Sequence, residues 1–469
     1  METKNEGIYD GFKQLGTGRM MVLGFQHVFA MFGATVLVPL LTGLSVSVTL
    51  MCAGLGTIWF YFITKKKIPI FLGSSFAFLG AFASIANGEK DLLPYACLGV
   101  FCAGLVYVVL AILFKVFGAK KIMKLFPPVV TGPIIVLIGL ILSATAVSSA
   151  SANWILAIAA IAIIICVNLF AKGMIKILPI LFGMLGAYVL GVIVTLIKPD
   201  LFGLPWIDFS GVSLKTFGDF IAIPHFWEYW PLKPMIDGTF TWTIALPAII
   251  TFVIVALAAM VEHIGDICAI GATCNKNFIA DPGLTRTLLG DGIGTSIAGF
   301  LGGPANTTYS ENTGVVALTK VYDPKVMLVA AIMTLVLSCL SIFETFINTI
   351  PWSIIGGVSI VLYGMISATG VRTIVENQVD FKKFRNIIIA ALIFVCGLGF
   401  NAYPLQIPLG SYTLSFGGLA VAAVVGIILN LILPGKDYEF DETDNLAYVE
   451  ETETLAGTKV VAAEKPDKK

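Results

Sequence analysis

The sequence predicts an all-α polytopic membrane protein whose fourteen transmembrane segments form two inverted repeats of seven. Three observations predict it. Hydrophobic residues make up 57% of the chain and charged residues only 12%, with a mean hydropathy of +0.93. A soluble domain carries about 25% charged residues because its surface must face water. Apolar stretches of roughly 20 residues, the length that spans a bilayer, recur along the whole chain. The segments that are interrupted by polar residues occupy corresponding places in the two halves, as transporter repeats do.

Taken in order, regular spans are expected near 21–41, 44–63, 93–114, 128–147, 153–170, 177–196, 241–261, 326–347, 353–371, 386–401 and 415–433. Three less regular segments, 68–87, 287–304 and 308–322, are broken by Gly, Ser, Thr or Asn and complete the fourteen. The first run, from about Met20, lacks a small-residue cleavage site and reads as a spanning helix rather than a signal peptide. Short cytoplasmic loops are enriched in Lys and Arg. With the N-terminus inside, Lys65–Lys67, Lys115, Lys172, Lys176, Arg286, Arg372 and Lys382–Arg385 fall inside, and only Lys90, Lys198, Lys215 and Lys233 fall outside. Both termini are therefore expected in the cytoplasm of a multi-pass plasma-membrane protein. The Trp-, Phe- and Pro-rich loop 197–240 is expected outside. The acidic tail 435–469 cannot build a core and is expected to be disordered.

Composition also narrows the function classes. Net charge is formally zero, so no basic excess points to nucleic acid. The eight cysteines lie in apolar stretches without metal-ligand spacing and read as packing residues. No Gly-rich GK[ST] loop for ATP is present, and no His or acidic set suggests a membrane metalloenzyme. Transport driven by an ion gradient is the economical reading, with no cofactor.

Internal echoes mark where to look. Gln26-His27 in FQHVFAMFGA is matched by Glu262-His263 in VEHIGDICAIGA, and GSSFAFLG (73–80) by NTTYSENTG (306–314). FPPVVTG (126–132) and IPWSIIG (350–356) share Pro and Gly at one spacing, and all three pairs lie at nearly the same separation. Non-helical backbone at membrane depth survives only where it lines a cavity or is buried in protein. Its free N–H and C=O groups, with the adjacent helix N-termini, can then serve a ligand. The plain alternative for both motifs is helix packing by small residues.

Glu311 is the sharper signal, because a charge at mid-membrane costs about 2.5 kcal/mol or more. Glu262 and Asp266 share a helix face if VEHIGD is helical. Carboxylates that are buried together hold protons more tightly and suit proton coupling. The hydroxyls of Thr307, Thr308 and Ser310 leave sodium open as the coupling ion. His27 and His263 read as proton carriers, ligands or helix–helix ties.

The motifs FQHVFAMFGATVLVP, IPIFLGSSFAF, EHIGD, DPGLTRTLLGDG and NTTYSENTGVVALT together resemble the nucleobase–cation symporter family, which contains uracil, xanthine and urate permeases. The resemblance runs from about residue 20 to about 434. It implies short antiparallel strands breaking segments 3 and 10, and a core domain of segments 1–4 and 8–11 (20–125 and 241–347). The gate domain is then segments 5–7 and 12–14 (126–196 and 348–434), flanked by the N-terminal segment 1–19, the loop 197–240 and the tail. It further implies substrate contacts from Phe76, Glu262, Tyr309, Ser310, Glu311 and Tyr363. Proton coupling falls to Glu262, Asp266 and Glu311, with Gln26, His27 and His263 in support. The implied activity is proton-coupled uracil uptake, with a homodimer formed through the gate domain. The pattern departs at Asp266, where the best-known bacterial uracil permease has a histidine. Aspartate there is also found in purine-transporting relatives, which keeps xanthine or urate as the alternative substrate.

Overall fold

A computed structural model describes residues 7–86, 88–118, 121–122, 124–198, 206–207, 220–409 and 412–435. Helices dominate. The chain opens with α1 (Gly11–Thr42) and α2 (Val46–Ile63), then strand β1 (Leu72–Ser74), a single 3-10 turn and α3 (Leu79–Ala86). Next come α4 (Leu93–Phe117), α5 (Pro128–Ala150), α6 (Trp154–Phe170) and α7 (Pro179–Ile197). After the loop follow α8 (Trp242–Cys274), α9 (Leu284–Phe300), strand β2 (Asn306–Thr308) and α10 (Ser310–Thr319). The chain continues through α11 (Lys325–Ser338), α12 (Trp352–Glu376), α13 (Phe384–Ala402), a hairpin of β3 (Leu405–Leu409) and β4 (Tyr412–Phe416), and α14 (Gly418–Ile432).

Among the described residues, 8 helices are long and apolar enough to cross a membrane. Phe76–Ala86, Trp154–Phe170, Lys325–Ser338 and Gly418–Ile432 are shorter apolar helical stretches. The protein is thus an all-α polytopic membrane protein, with two small two-stranded sheets added.

Several expected boundaries move. α1 begins at Gly11 rather than near residue 20, passing a non-helical glycine at Gly16 (φ 77, ψ 165). α8 does not stop at residue 261: its 33 residues carry VEHIGD as helix, so it measures about 50 Å against a hydrocarbon layer of about 30 Å. The single span expected at 326–347 ends instead at Ser338, followed by a separate short helix, Ser341–Ile347. The cause is the segment before α8. Ala222 N–H donates to Cys339 O (2.9 Å) and Ser341 N–H to Phe220 O (3.1 Å), which draws the chain at Leu340 into extended backbone. The β3–β4 hairpin stands just before α14, where the sequence reading has only loop. The tail from 436 onward and most of 199–219 lie outside the described residues.

Packing sorts the helices into two groups. α9 and α8 lie along α4, and α11 lies along α2 and α1. In the other group α12 packs along α5, α6 along α7, and α13 along α14. The small residues Gly132, Gly139 and Gly370 sit in the α5–α12 seam. A Cβ on Gly139 would fall 2.1 Å from the Tyr363 carbonyl oxygen, so these two backbones touch directly.

Candidate functional site

The two broken segments meet. β1 and β2 pair antiparallel, with Leu72 opposite Thr308, Gly73 opposite Thr307 and Ser74 opposite Asn306. The ladder is extended at its ends by Ser75 N–H to Ala305 O (2.8 Å) and Tyr309 N–H to Phe71 O (3.0 Å). A sheet of three residues per strand leaves outer edges that lipid could not satisfy. Hydroxyls close them. Thr57 of α2 accepts from Leu72 N–H (2.9 Å) and donates to Leu72 O (3.2 Å). Thr295 of α9 donates to Asn306 O (2.8 Å). Asn306 in turn donates to Cys52 O (3.0 Å).

Tyr309 locks the crossing from behind. Its buried hydroxyl donates to Ser74 O (2.7 Å) and accepts from Thr35 (3.1 Å). The ring packs against Gly73, where an added Cβ would come within 2.5 Å of it. The structure therefore gives the Tyr309 side chain to the strands. Its hydroxyl is already engaged.

Each strand runs into a helix, so two N-termini with unpaired N–H groups start at the crossing. On one side are the 3-10 turn Phe76–Phe78 and α3; on the other is α10, with Glu311 in its first turn. A carboxylate there is favoured by the helix dipole. α8 passes alongside. Its Asp266 accepts from Thr308 Oγ1 (2.7 Å) on one oxygen and from Ser310 Oγ on the other. Glu262, one turn earlier, is close enough to Asp266, Glu311 and Asp291 to interact electrostatically. Ser310 and Gly265 are exposed and Glu262 and Glu311 half-buried, so the cluster is not sealed within the packed helices. Carboxylates grouped at the ends of two helices can accept N–H donors and can carry protons.

Of the remaining expected residues, Phe76 is half-buried and meets buried Tyr363 of α12 edge-on, with ring centroids 6.4 Å apart. This contact links the two helix groups. His27 is fully buried and ties α1 to α10: Asn312 Nδ2 donates to its carbonyl oxygen (3.0 Å) and faces its ring Nδ1 (3.2 Å). Gln26 is half-buried, and its amide oxygen has no protein partner. His263 is fully buried and meets Asp291 (Nδ1 to Oδ2, 3.1 Å) in a contact whose alignment falls short of a hydrogen bond. Among the described residues, no group of His, Cys, Asp and Glu is arranged to hold a metal ion.

Asp291, Thr57 and Thr295 are the residues that sequence reasoning missed. A signal for the threonines exists. GLGT (54–57) and GIGT (292–295) are a further internal echo, and each threonine tethers the strand of its own half.

Comparison with known proteins adds the lineage. Residues 18–406 match the Permease family. The chain belongs to it. It is 36% identical over 464 residues to the uracil permease of Bacillus caldolyticus, covering 94% of this chain and all of that protein. It is 38% identical over 423 residues to a probable uracil permease of Pasteurella multocida, covering 88% of this chain and 93% of the relative. Among solved structures, the transmembrane domain of the cyanobacterium bicarbonate transporter BicA aligns with a TM-score of 0.58 at 14% identity, over 91% of this chain and 99% of that one. At that identity the likeness is one of fold. The permease is thus a membrane transporter and not an enzyme.

Proposed function

We propose that this permease carries uracil into the cell together with a proton, across the cytoplasmic membrane and by alternating access. The observation that carries the reading is the acid cluster Glu262, Asp266 and Glu311 at the β1–β2 crossing, where two helices begin. Uracil presents ring N–H groups beside carbonyl oxygens. Carboxylates accept from the first, and the exposed N–H groups of helix N-termini donate to the second. Relatives at 36–38% identity that bear the name uracil permease favour this base.

In this reading Glu311 and Glu262 hold the ring, and Ser310 and the backbone at Phe76 complete its edge. Tyr309 positions the strands, and Tyr363 faces the base from the opposite group. Glu262, Asp266 and Glu311 share the transported proton, which enters from outside and leaves with the base. The α1–α4 and α8–α11 group is the core, and the α5–α7 and α12–α14 group is the gate. The core halves are the inverted copies that the echoes suggest, and both termini face the cytoplasm. Asp266, standing where uracil permeases can carry histidine, favours a purine such as xanthine as the second reading.

The test is uptake of labelled uracil into proteoliposomes under an imposed proton gradient, an imposed sodium gradient, or neither. Thymine and xanthine serve as competitors. Accumulation driven by protons and inhibited weakly by xanthine supports the proposal. Accumulation driven by sodium alone, or of xanthine in preference, contradicts it.

A further inference from the structure

The acid cluster leaves a problem of chemistry. With uracil bound, Glu262 accepts an N–H of the base, and a carboxyl that keeps the travelling proton has lost its charge and part of its acceptor capacity. A symporter carries proton and base at the same time. The proton therefore needs a second place to ride while Glu262 stays charged.

The next residue of α8 offers one. His263 Nδ1 lies 3.1 Å from Asp291 Oδ2 of α9, and both side chains are 0% exposed. Asp291 stands between Gly290 and Gly292. A Cβ on the first would come within 2.7 Å of the Phe60 ring of α2, and a Cβ on the second within 2.4 Å of Tyr107 Cβ of α4. Phe60 also meets the His263 ring edge-on, with centroids 6.3 Å apart. Neighbouring helices thus close tightly around the pair. Among the described residues, neither ring nitrogen of His263, neither carboxylate oxygen of Asp291 nor the Tyr107 hydroxyl has a hydrogen-bond partner. Buried polar groups are as a rule paired, so a knot of open ones marks a place where something is exchanged. Neutral His263 beside ionised Asp291 leaves one uncompensated charge in the core, and a single added proton cancels it. The ionisable groups around the pair are few. Glu262 of α8 and Tyr107 of α4 are within electrostatic range of Asp291, and Asp266 of α8 is within range of His263. Glu311 of α10 is within range of Glu262 and Asp266.

We infer that His263 and Asp291 form a second, buried proton site, which takes over the transported proton while Glu262 binds the base. The inference rests on the proton-coupled uracil reading and deepens it. In the transfer the O–H bond of the Glu262 carboxyl breaks and an N–H bond forms on the His263 imidazole. Glu262 is left as a carboxylate for the base, and Asp291 neutralises the imidazolium. When the base departs, the reverse transfer returns the proton to Glu262 and so to the crossing.

Asp291→Asn and His263→Gln test it, since each stays close to the original size and abolishes the site. Three quantities are compared with the wild type: proton-driven accumulation of labelled uracil in proteoliposomes, gradient-free exchange of internal for external uracil, and protons taken up per uracil bound in weakly buffered detergent solution at several pH values. Both variants are expected to lose accumulation at least about tenfold, to keep exchange within about threefold and to take up less than about half as many protons per uracil. Wild-type accumulation in either variant would overturn the inference. So would loss of accumulation and exchange together with the protons per uracil unchanged, which would make the pair a packing contact. Should neither variant fold, infrared difference spectra of wild-type protein with ring-labelled histidine decide. An imidazolium band that appears on adding uracil, as a protonated carboxyl band disappears, supports the site, and its absence overturns it. Wild-type protein that accumulates no uracil under a proton gradient would overturn the proton-coupled reading itself, which the first measurement detects separately.

Discussion

The two broken segments of this permease share one backbone plan and differ in chemistry. β1 with α3 and β2 with α10 each give a three-residue strand, a tether from a Gly-x-Gly-Thr helix and a helix N-terminus at the crossing. The first contributes no ionisable side chain, only backbone groups, Ser75 and Phe76. The second carries Glu311 and delivers the Thr308 and Ser310 hydroxyls to Asp266. The same split separates the long helices: Gln26-His27 on α1 is neutral or a tie to Asn312, whereas Glu262-His263 on α8 brings charge. A shared backbone plan thus need not mean shared chemistry. One segment presents an aromatic and a main-chain edge; the other presents the carboxylates.

This contrast predicts unequal sensitivity. The largest effect is expected in the charged copy. Glu311→Gln should insert normally and lose about 100-fold in proton-driven uracil accumulation, since a charge-assisted hydrogen bond and the proton site go together. In the wild type, uptake should rise as external pH is lowered against a fixed interior, and that dependence should flatten in the variant. Transport assays at several external pH values check both. Asp266→Asn comes next. It keeps one acceptor for Thr308 or Ser310 but gives up the charge, so uracil affinity measured at equilibrium should fall about tenfold.

The strand crossing itself should respond in stability more than in transport. Gly73→Ala drives a methyl into the Tyr309 ring and should lower thermal stability by about 1–3 kcal/mol. Tyr309→Phe removes the bonds to Ser74 and Thr35 and should cost about 1–2 kcal/mol. Unfolding monitored in detergent separates these from binding losses. Smallest of all is Asp281→Asn at the exposed pair with Lys67, where uptake should stay within twofold. Lys67 holds the Asp281 carboxyl below its ordinary range, so what little the pair stabilises is present above the carboxylate range and lost on acidification.

Much of this was legible beforehand, for physical reasons. Spans are long apolar runs, and α2, α4, α6 and α12 fall within a few residues of the stretches that hydropathy marks. Buried acids are conspicuous in such runs, so Glu311, Glu262 and Asp266 stood out. What escaped was set by tertiary contact. The break at Leu340 depends on pairing with a distant loop, and hydropathy has no access to that. The turn of Tyr309 toward the strands depends on Thr35, which is far away in sequence. Asp291 hid in a glycine- and leucine-rich stretch, and its contact with His263 joins residues far apart in sequence. The β3–β4 hairpin carried an ordinary signal, the alternation of Leu405, Ile407 and Leu409 with the polar-flanked turn after it, but lay beside a stronger apolar run.

The most direct measurement is proton movement driven by the base alone. Uracil is added outside proteoliposomes that hold an internal pH indicator, with no imposed ion gradient and with wild type and Glu311→Gln reconstituted in equal amounts. The account predicts prompt internal acidification with the wild type and none above background with the variant. Acidification at equal rates in both, or uracil entry without acidification in the wild type, would contradict it.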